Sequence, residues 1–169
     1  MSETKIIKAD ITELDVDAIV SAANAALCGG GGVDGAIHRA AGPFLLEECR
    51  QLGGCKPGFA KITGGHNLKC WHIIHAVGPV WYGGHKGEED LLRSCYRESL
   101  KLASAHSAKS IAFPAISCGA YRFPVELACK IAVEEVHKWL SQDDSIDVVY
   151  FVCFDSKIKQ QYLNAIGEQ

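Results

Sequence analysis

Four consecutive glycines, at positions 29–32, constrain this chain more than any other feature of its sequence. They follow a short apolar segment and Asn24, and Asp34 stands just after them. Because glycine has no Cβ, backbone N–H groups in such a run can approach a ligand closely. A glycine-rich loop that leads into a helix N-terminus also favours anions, since unpaired N–H groups and the helix dipole point the same way. The segment therefore predicts an anion-binding loop in front of a helix over 35–41.

The carboxylate of Asp34 beside this loop has two interpretations. A negative charge is out of place if the loop only holds phosphate, but it is useful if a water or hydroxyl must be positioned next to the anion. Alternatively, Asp34 is only the N-cap of the helix and the glycines are only a flexible turn. The first interpretation predicts a diphosphate ligand with chemistry at one end.

Two familiar nucleotide-binding motifs can be compared with the glycine loop. Residues 30–35 fit G-x-G-x-x-G, but several residues separate them from the preceding apolar strand. No acid closes a strand about 20 residues later, near Cys55, as the dinucleotide fingerprint requires. No G-K-[ST] follows the glycines, which excludes a P-loop. The loop is therefore interpreted as an anion site of another kind.

Length and charge limit the class of protein. The 169 residues suffice for one compact domain, 1–169, with a sizeable core. The net charge is −3 and Lys and Arg form no run, so we expect no nucleic-acid partner. No apolar run approaches the roughly 18 residues of a membrane helix, and no secretory leader is recognisable. We therefore expect a cytoplasmic protein without a membrane partner, and we take it to be a monomer.

The eight cysteines are interpreted as reduced thiols, because a chain of this length can bury a core without disulfides. No C-x-x-C pair is present, which argues against a zinc site. We expect no metal and no cofactor. Most of the thiols are expected to be small buried hydrophobes, although Cys118 lies in a loop that is predicted to touch ligand.

Strands alternate with helices along the chain. The predicted strands cover 5–9, 18–22, 59–63, 71–77, 110–116 and 147–154, and the predicted helices cover 35–41, 43–52, 88–106, 124–140 and 155–166. This alternation predicts a largely parallel sheet with helices on both faces, in which ligands bind at the carboxyl ends of strands. Four features follow strand ends and are predicted to share one cleft: Asp10, the 24–34 loop, the 117–123 loop and Phe154.

Four segments of the chain carry specific motifs: KADIT at 8–12, GGGGVDGAIHRAAGP at 29–43, HAVGPVW at 75–81 and FPAISCGAY at 113–121. Together they resemble the macrodomain family, specifically its MacroD type, which includes bacterial O-acetyl-ADP-ribose deacetylases. The similarity covers essentially the whole chain. It implies an α/β fold, a three-layer α/β/α sandwich around a six-stranded mixed, mostly parallel sheet, with ADP-ribose in the cleft.

The resemblance also implies roles for individual residues. Asp10 would accept a hydrogen bond from the adenine amino group, the Ile11 backbone would contact the ring, and Phe154 would stack on it. Backbone N–H groups from two loops would face the diphosphate and distal ribose. They belong to Gly32 and Val33 in the first loop, and to Ser117, Cys118, Gly119, Ala120 and Tyr121 in the second.

By the same resemblance, Asn24 and Asp34 would make the chain a metal-independent hydrolase. Asn24 would hold the distal ribose, and Asp34 would position or deprotonate a water. The substrate would be an ADP-ribosyl ester, either O-acetyl-ADP-ribose or mono-ADP-ribose on an acidic residue of a protein. Two alternatives remain: a module that binds ADP-ribose without cleaving it, and a scaffold whose cleft has lost its function.

Three positions depart from the residues that this family usually has. Ser21 replaces Asn, so the support of the first loop is expected to differ. Ala9 replaces Gly just before Asp10. Arg122 replaces Gly in the second loop, where its guanidinium either adds a charge-assisted contact to the diphosphate or points to solvent.

Overall fold

The computed structural model describes residues 2–167, which form a six-stranded sheet and five α-helices. The strands are β1 Glu3–Lys8, β2 Ala18–Ala23, β3 Ala60–Gly64, β4 His72–Val77, β5 Ser110–Phe113 and β6 Val148–Cys153. The helices are α1 Gly32–Ala41, α2 Pro43–Gln51, α3 Glu88–Ala105, α4 Val125–Gln142 and α5 Ser156–Gly167, with a short 3₁₀ helix at Ile11–Glu13. Within the described part of the chain, no helix is both long and apolar enough to cross a membrane.

The sheet has the strand order β1-β6-β5-β2-β4-β3, and only the β3–β4 pair is antiparallel. Helices α1 and α2 pack on one face, and α3, α4 and α5 pack on the other. The predicted three-layer sandwich around a mixed, mostly parallel sheet is therefore confirmed. Both faces of the central strands are buried, which explains their continuous apolar runs.

Strand β2 lies inside the sheet and contributes side chains to both hydrophobic cores. Ala18 and Val20 pack into the core shared with α3, α4 and α5, while Ile19 and Ala23 pack into the core under α1 and α2. Because side chains alternate along a strand, Ser21 points to the same face as Ile19. A polar side chain in the middle of an otherwise apolar strand thus lies beneath α1.

Helix α1 begins earlier than the sequence predicts. Its first residue is Gly32, its N-cap is Gly31, and Gly31 O accepts a hydrogen bond from Gly35 N–H at 3.2 Å. The interpretation of Asp34 as the N-cap is therefore wrong, since Asp34 is the third residue of the helix. The earlier start needs the positive φ of +58° at Gly32, which glycine adopts without steric cost.

Strand β5 ends earlier than the predicted 110–116. It stops at Phe113 because Pro114 has no N–H to donate to a neighbouring strand. Gly42 ends α1 with φ +90°, and Pro43 begins α2, as predicted. The bounds of the other strands and helices differ from the prediction by at most two residues at each end.

Candidate active site

A cleft of about 940 Å³ opens at the carboxyl ends of β1, β2, β5 and β6. The structure places every residue of the predicted site in its lining: Asp10, Ile11, Asn24, Gly32, Val33, Asp34, Ser117, Cys118, Gly119, Ala120, Tyr121 and Phe154. Its size falls within the range of small-molecule sites. The arrangement brings the two small-residue loops to one place, while the role of each residue stays a prediction.

Free backbone donors lie in both loops of the cleft. In residues 2–167, the N–H groups of Gly32 and Val33, in the first turn of α1, have no hydrogen-bond acceptor. In the second loop the same holds for Gly119 and Ala120, whereas Cys118 N–H donates to Ala115 O at 3.3 Å. Unpaired N–H groups at a helix N-terminus and in a turn both favour anions. The cleft can therefore bind a diphosphate from two loops.

The side chain of Asn24 folds the first loop onto itself. Its Oδ1 accepts a hydrogen bond from Leu27 N–H at 3.1 Å, and its Nδ2 donates to Gly29 O at 3.0 Å. A Cβ at Gly30 would lie 3.3 Å from this Nδ2 and 3.6 Å from Asp34 Oδ2. Gly30 therefore brings its backbone close to both polar side chains. The second Nδ2 hydrogen of Asn24 is the one left for a ligand.

Asp34 is almost completely buried, with 4% of its surface exposed. Ser21 Oγ donates a hydrogen bond to its Oδ1 at 2.9 Å, and His38 Nε2 lies 3.5 Å from the same oxygen. Burial raises the pKa of Asp34 above its ordinary value, while the bond from Ser21 and the charge of His38 act in the opposite direction. A raised pKa brings a carboxylate closer to that of an effective general base.

Sequence reasoning did not assign Ser21 or His38 to Asp34. The spacing of Asp34 and His38 is i, i+4, which places two side chains on one face of a helix, so a signal for that pair was present. Ser21 lies 13 residues before Asp34, in β2, a spacing that no local pattern links to the helix. In the sheet it pairs with His75 of β4.

A polar cluster of His38, Cys49 and His75 lies behind Asp34, with one nitrogen or sulfur atom of each within 4.8 Å of the others. The ring nitrogen of His75 and the sulfur of Cys49 already have hydrogen-bond partners within the protein. His75 Nε2 lies 2.9 Å from Thr63 Oγ1 and 3.8 Å from Cys49 Sγ. Burial raises the pKa of the Cys49 thiol to about 11 and lowers that of His75 to about 4. Both are neutral near pH 7, so we interpret the cluster as hydrogen-bonded support for α1 and assign it no metal.

The other end of the cleft suits a flat, polar ring. Asp10 Oδ1 caps the 3₁₀ helix by accepting hydrogen bonds from Thr12 N–H at 2.9 Å and Thr12 Oγ1 at 2.7 Å, which leaves Oδ2 without a donor in residues 2–167. Ile11, next to Asp10, is buried and lines the cleft. Phe154, directly after β6, is 70% exposed. An exposed aromatic ring at a cleft offers a face for stacking.

Two features of the second loop bear on its chemistry. Arg122 is exposed and has φ +62°, a conformation that glycine adopts freely and that costs other residues about 1 kcal/mol. A glycine would adopt this conformation without that cost. Burial raises the pKa of the Cys118 thiol to about 12, which leaves it neutral and disfavours a nucleophilic role.

Comparison with known proteins gives a consistent result for fold and sequence. A family model described as Macro domain matches residues 20–132. A macro domain-containing protein of Chlorobaculum tepidum is 58% identical over 95% of this chain and 94% of its own. An O-acetyl-ADP-ribose deacetylase of Escherichia fergusonii is 49% identical over 99% of this chain and 97% of its own. The structure of a Trypanosoma brucei macrodomain in complex with ADP-ribose superimposes with a TM-score of 0.92 at 40% identity, covering 97% of this chain and 69% of that one.

The fold and the cleft are those of an α/β/α sandwich with a ligand site at the carboxyl ends of its strands. The family match covers more than half of the chain, and close relatives match it almost from end to end. The chain belongs to the macrodomain family, as its sequence motifs predict.

Proposed function

We propose that this chain binds ADP-ribose and hydrolyses ADP-ribosyl esters without a metal. The observation that supports this proposal most is the position of Asp34, a buried carboxylate that lines the cleft beside free N–H groups of the glycine loop. A protein that only bound the diphosphate would gain nothing from a buried negative charge there. The ADP-ribose complex of the Trypanosoma brucei macrodomain and the deacetylase name of the Escherichia fergusonii relative support the same ligand and reaction.

The ligand would lie along the cleft with adenine at its Phe154 end. Phe154 would stack on the ring, Asp10 Oδ2 would accept a hydrogen bond from the exocyclic amine, and the Ile11 backbone would contact the ring edge. The free N–H groups of Gly32 and Gly119 lie in different loops and would hold the diphosphate between them. The distal ribose would then lie near Asn24 and Asp34, which line the cleft beside Gly30.

The chemical step would use a water next to Asp34. The carboxylate takes a proton from this water as the water oxygen attacks the ester. The bond to the leaving oxygen breaks and the proton passes to that oxygen, which releases the carboxylic acid and ADP-ribose and restores the carboxylate. Attack on the ester carbonyl and attack on the anomeric carbon both satisfy this scheme. General-base assistance accelerates such steps by about 10²–10⁴-fold. Asn24 contributes by orienting the ribose through its free Nδ2 hydrogen.

A non-catalytic ADP-ribose reader is the alternative. It is favoured by the internal hydrogen bonds of Asn24, whose amide oxygen and one amide hydrogen are engaged by the loop itself. The same free N–H groups would then serve binding alone. A reader would leave the ester intact, which makes the two functions easy to distinguish.

The experiment is a release assay on three substrates: O-acetyl-ADP-ribose, a protein mono-ADP-ribosylated on acidic residues, and a protein mono-ADP-ribosylated on arginine. Hydroxylamine, which cleaves the ester linkage chemically, serves as the positive control for labelling. The proposal expects release from both esters. Binding of ADP-ribose by calorimetry without release from any substrate would establish the reader instead, and absence of binding heat would contradict both functions.

A further inference from the structure

Ser21 is a buried hydroxyl whose partner is Asp34. None of its surface is exposed, and it lies on the strand face that packs under α1. A buried hydroxyl is costly unless it forms a hydrogen bond. Its Oγ donates to Asp34 Oδ1 at 2.9 Å, so its position in β2 and the carboxylate in α1 depend on each other.

The two oxygens of Asp34 have different surroundings. Oδ1 accepts the hydrogen bond from Ser21 and lies 3.5 Å from His38 Nε2. Oδ2 lies on the side of Gly30, 3.6 Å from the point that a Cβ of Gly30 would occupy and near Asn24. With Oδ1 held from β2, rotation of the carboxylate is restricted and Oδ2 is left for the cleft.

We propose that Ser21 is a positioning residue for the hydrolysis: its hydroxyl holds Asp34 Oδ1, so that Oδ2 faces the reacting water. The inference rests on the proposed function. It concerns one of the three positions at which the sequence departs from the proteins it resembles, and in this chain the hydroxyl at that position bonds the carboxylate.

The electrostatic part of the argument depends on the groups around Asp34. His38 faces it from α1 and Cys49 from α2, and His75 of β4 lies behind them, with its ring within 4.8 Å of both. His75 and Cys49 are neutral near pH 7 because burial lowers the pKa of His75 to about 4 and raises that of Cys49 to about 11. The hydrogen bond from Ser21 and the imidazole of His38 are thus the main groups that favour the charged carboxylate.

The test uses Ser21→Ala, Ser21→Thr and a matched control, Ser99→Ala. Ser99 is a fully buried serine of α3 whose hydroxyl has no partner in residues 2–167, so its loss removes the same atom far from the cleft. For each variant, kcat on the ADP-ribosyl ester is measured from pH 4.5 to 8.5, together with the Kd for ADP-ribose and the thermal midpoint.

Ser21→Ala is expected to lower kcat by about 10- to 100-fold, the range for a hydrogen bond to a charged group. The acidic side of its profile of kcat against pH is expected to move to higher pH by about one unit. The Kd for ADP-ribose is expected to stay within about threefold of wild type. Ser21→Thr keeps the hydroxyl and is expected to restore most of kcat. Ser99→Ala is expected to match wild type.

Two outcomes overturn the inference. One is a Ser21→Ala enzyme with wild-type kcat and an unmoved acidic side of the profile of kcat against pH. The other is a loss of kcat that follows a parallel loss of affinity and thermal stability at every pH, because Ser21 would then only support the fold.

Failure of the proposed function itself is recognised separately, since wild type would then release nothing. In that case a ¹³C NMR titration of Asp34 still tests whether the hydroxyl of Ser21 acts on the carboxylate. A higher carboxyl pKa in Ser21→Ala supports the hydrogen bond as its determinant, and an unchanged pKa overturns it.

Discussion

Gly35 shows how closely the glycine loop is held against α1. A Cβ at this position would lie 2.5 Å from the carbonyl oxygen of Gly30 and 3.2 Å from Nη1 of Arg39. Carbon and oxygen atoms pack at about 3.3 Å or more, so Gly35→Ala must open this contact by about 0.8 Å. The atom in the way is backbone, and it belongs to the residue that lies against Asn24 and Asp34.

Two effects of opposite sign compete in Gly35→Ala. Alanine is the better helix former and would stabilise α1 by about 1 kcal/mol. Forcing extra atoms into a packed site costs about 1–3 kcal/mol. Because the loop has to move as a unit, we expect the clash to dominate, with a net loss of about 1 kcal/mol in the free energy of unfolding. The displaced loop should weaken ADP-ribose binding about tenfold, which corresponds to about 1.4 kcal/mol.

Urea denaturation and calorimetry with ADP-ribose measure the two quantities for Gly35→Ala. Gly119→Ala is the control for stability, since a Cβ there would meet no atom within 4 Å, and its free energy of unfolding should stay within about 0.5 kcal/mol of wild type. A Gly35→Ala protein that is more stable than wild type and binds ADP-ribose equally well would refute the idea that α1 holds the loop.

Three further predictions concern the remaining groups. Burial and His38 lower the pKa of His75 to about 4, so the unfolded state binds more protons than the folded state between pH 4 and 6.5. The free energy of unfolding, measured by urea titration, should therefore rise with pH over this window by up to about 3 kcal/mol. His75→Gln should reduce this dependence of stability on pH. Burial raises the pKa of Glu88, but backbone N–H donors, including three from the 82–86 loop, outweigh it and lower that pKa to about 2. Wild type should therefore be more stable than Glu88→Gln above pH 4.5, and this difference in the free energy of unfolding should disappear as the pH falls towards 2. A difference of equal size at both pH values would contradict the prediction. Phe154→Ala should weaken ADP-ribose binding by at least about fivefold, as expected for loss of a stacked base, with little change in kcat; a fall in kcat alone would be inconsistent with an adenine platform.

The sequence predicts the architecture well because the signals for it are local. Alternating strands and helices indicate a covered parallel sheet, and Pro114 already marks the end of β5. This pattern gives six strands with helices on both faces, and the family resemblance added that the sheet is mixed. The start of α1 was missed because the helix begins inside the glycine run, where Gly32 takes a positive φ that no propensity predicts.

For the predicted site as well, features set by local sequence could be predicted, and a contact set by tertiary packing could not. Residues that follow strand ends, such as Asp10 and Phe154, could be placed in one cleft from topology alone. The support of Asp34 could not, since Ser21 reaches it through the packing of α1 on β2. A polar residue within an apolar strand only indicates that some partner exists. Which partner it has is decided by tertiary structure.

The central claim is that the carboxylate of Asp34 drives water onto an ADP-ribosyl ester held in this cleft. The most direct measurement compares the single-turnover rate of ester release by wild type, Asp34→Ala and the isosteric Asp34→Asn, with the Kd for ADP-ribose determined in parallel. The account predicts that both variants release the acid about 10²–10⁴ times more slowly and that Asp34→Asn binds ADP-ribose within about threefold of wild type. Turnover by Asp34→Asn at the wild-type rate would contradict it.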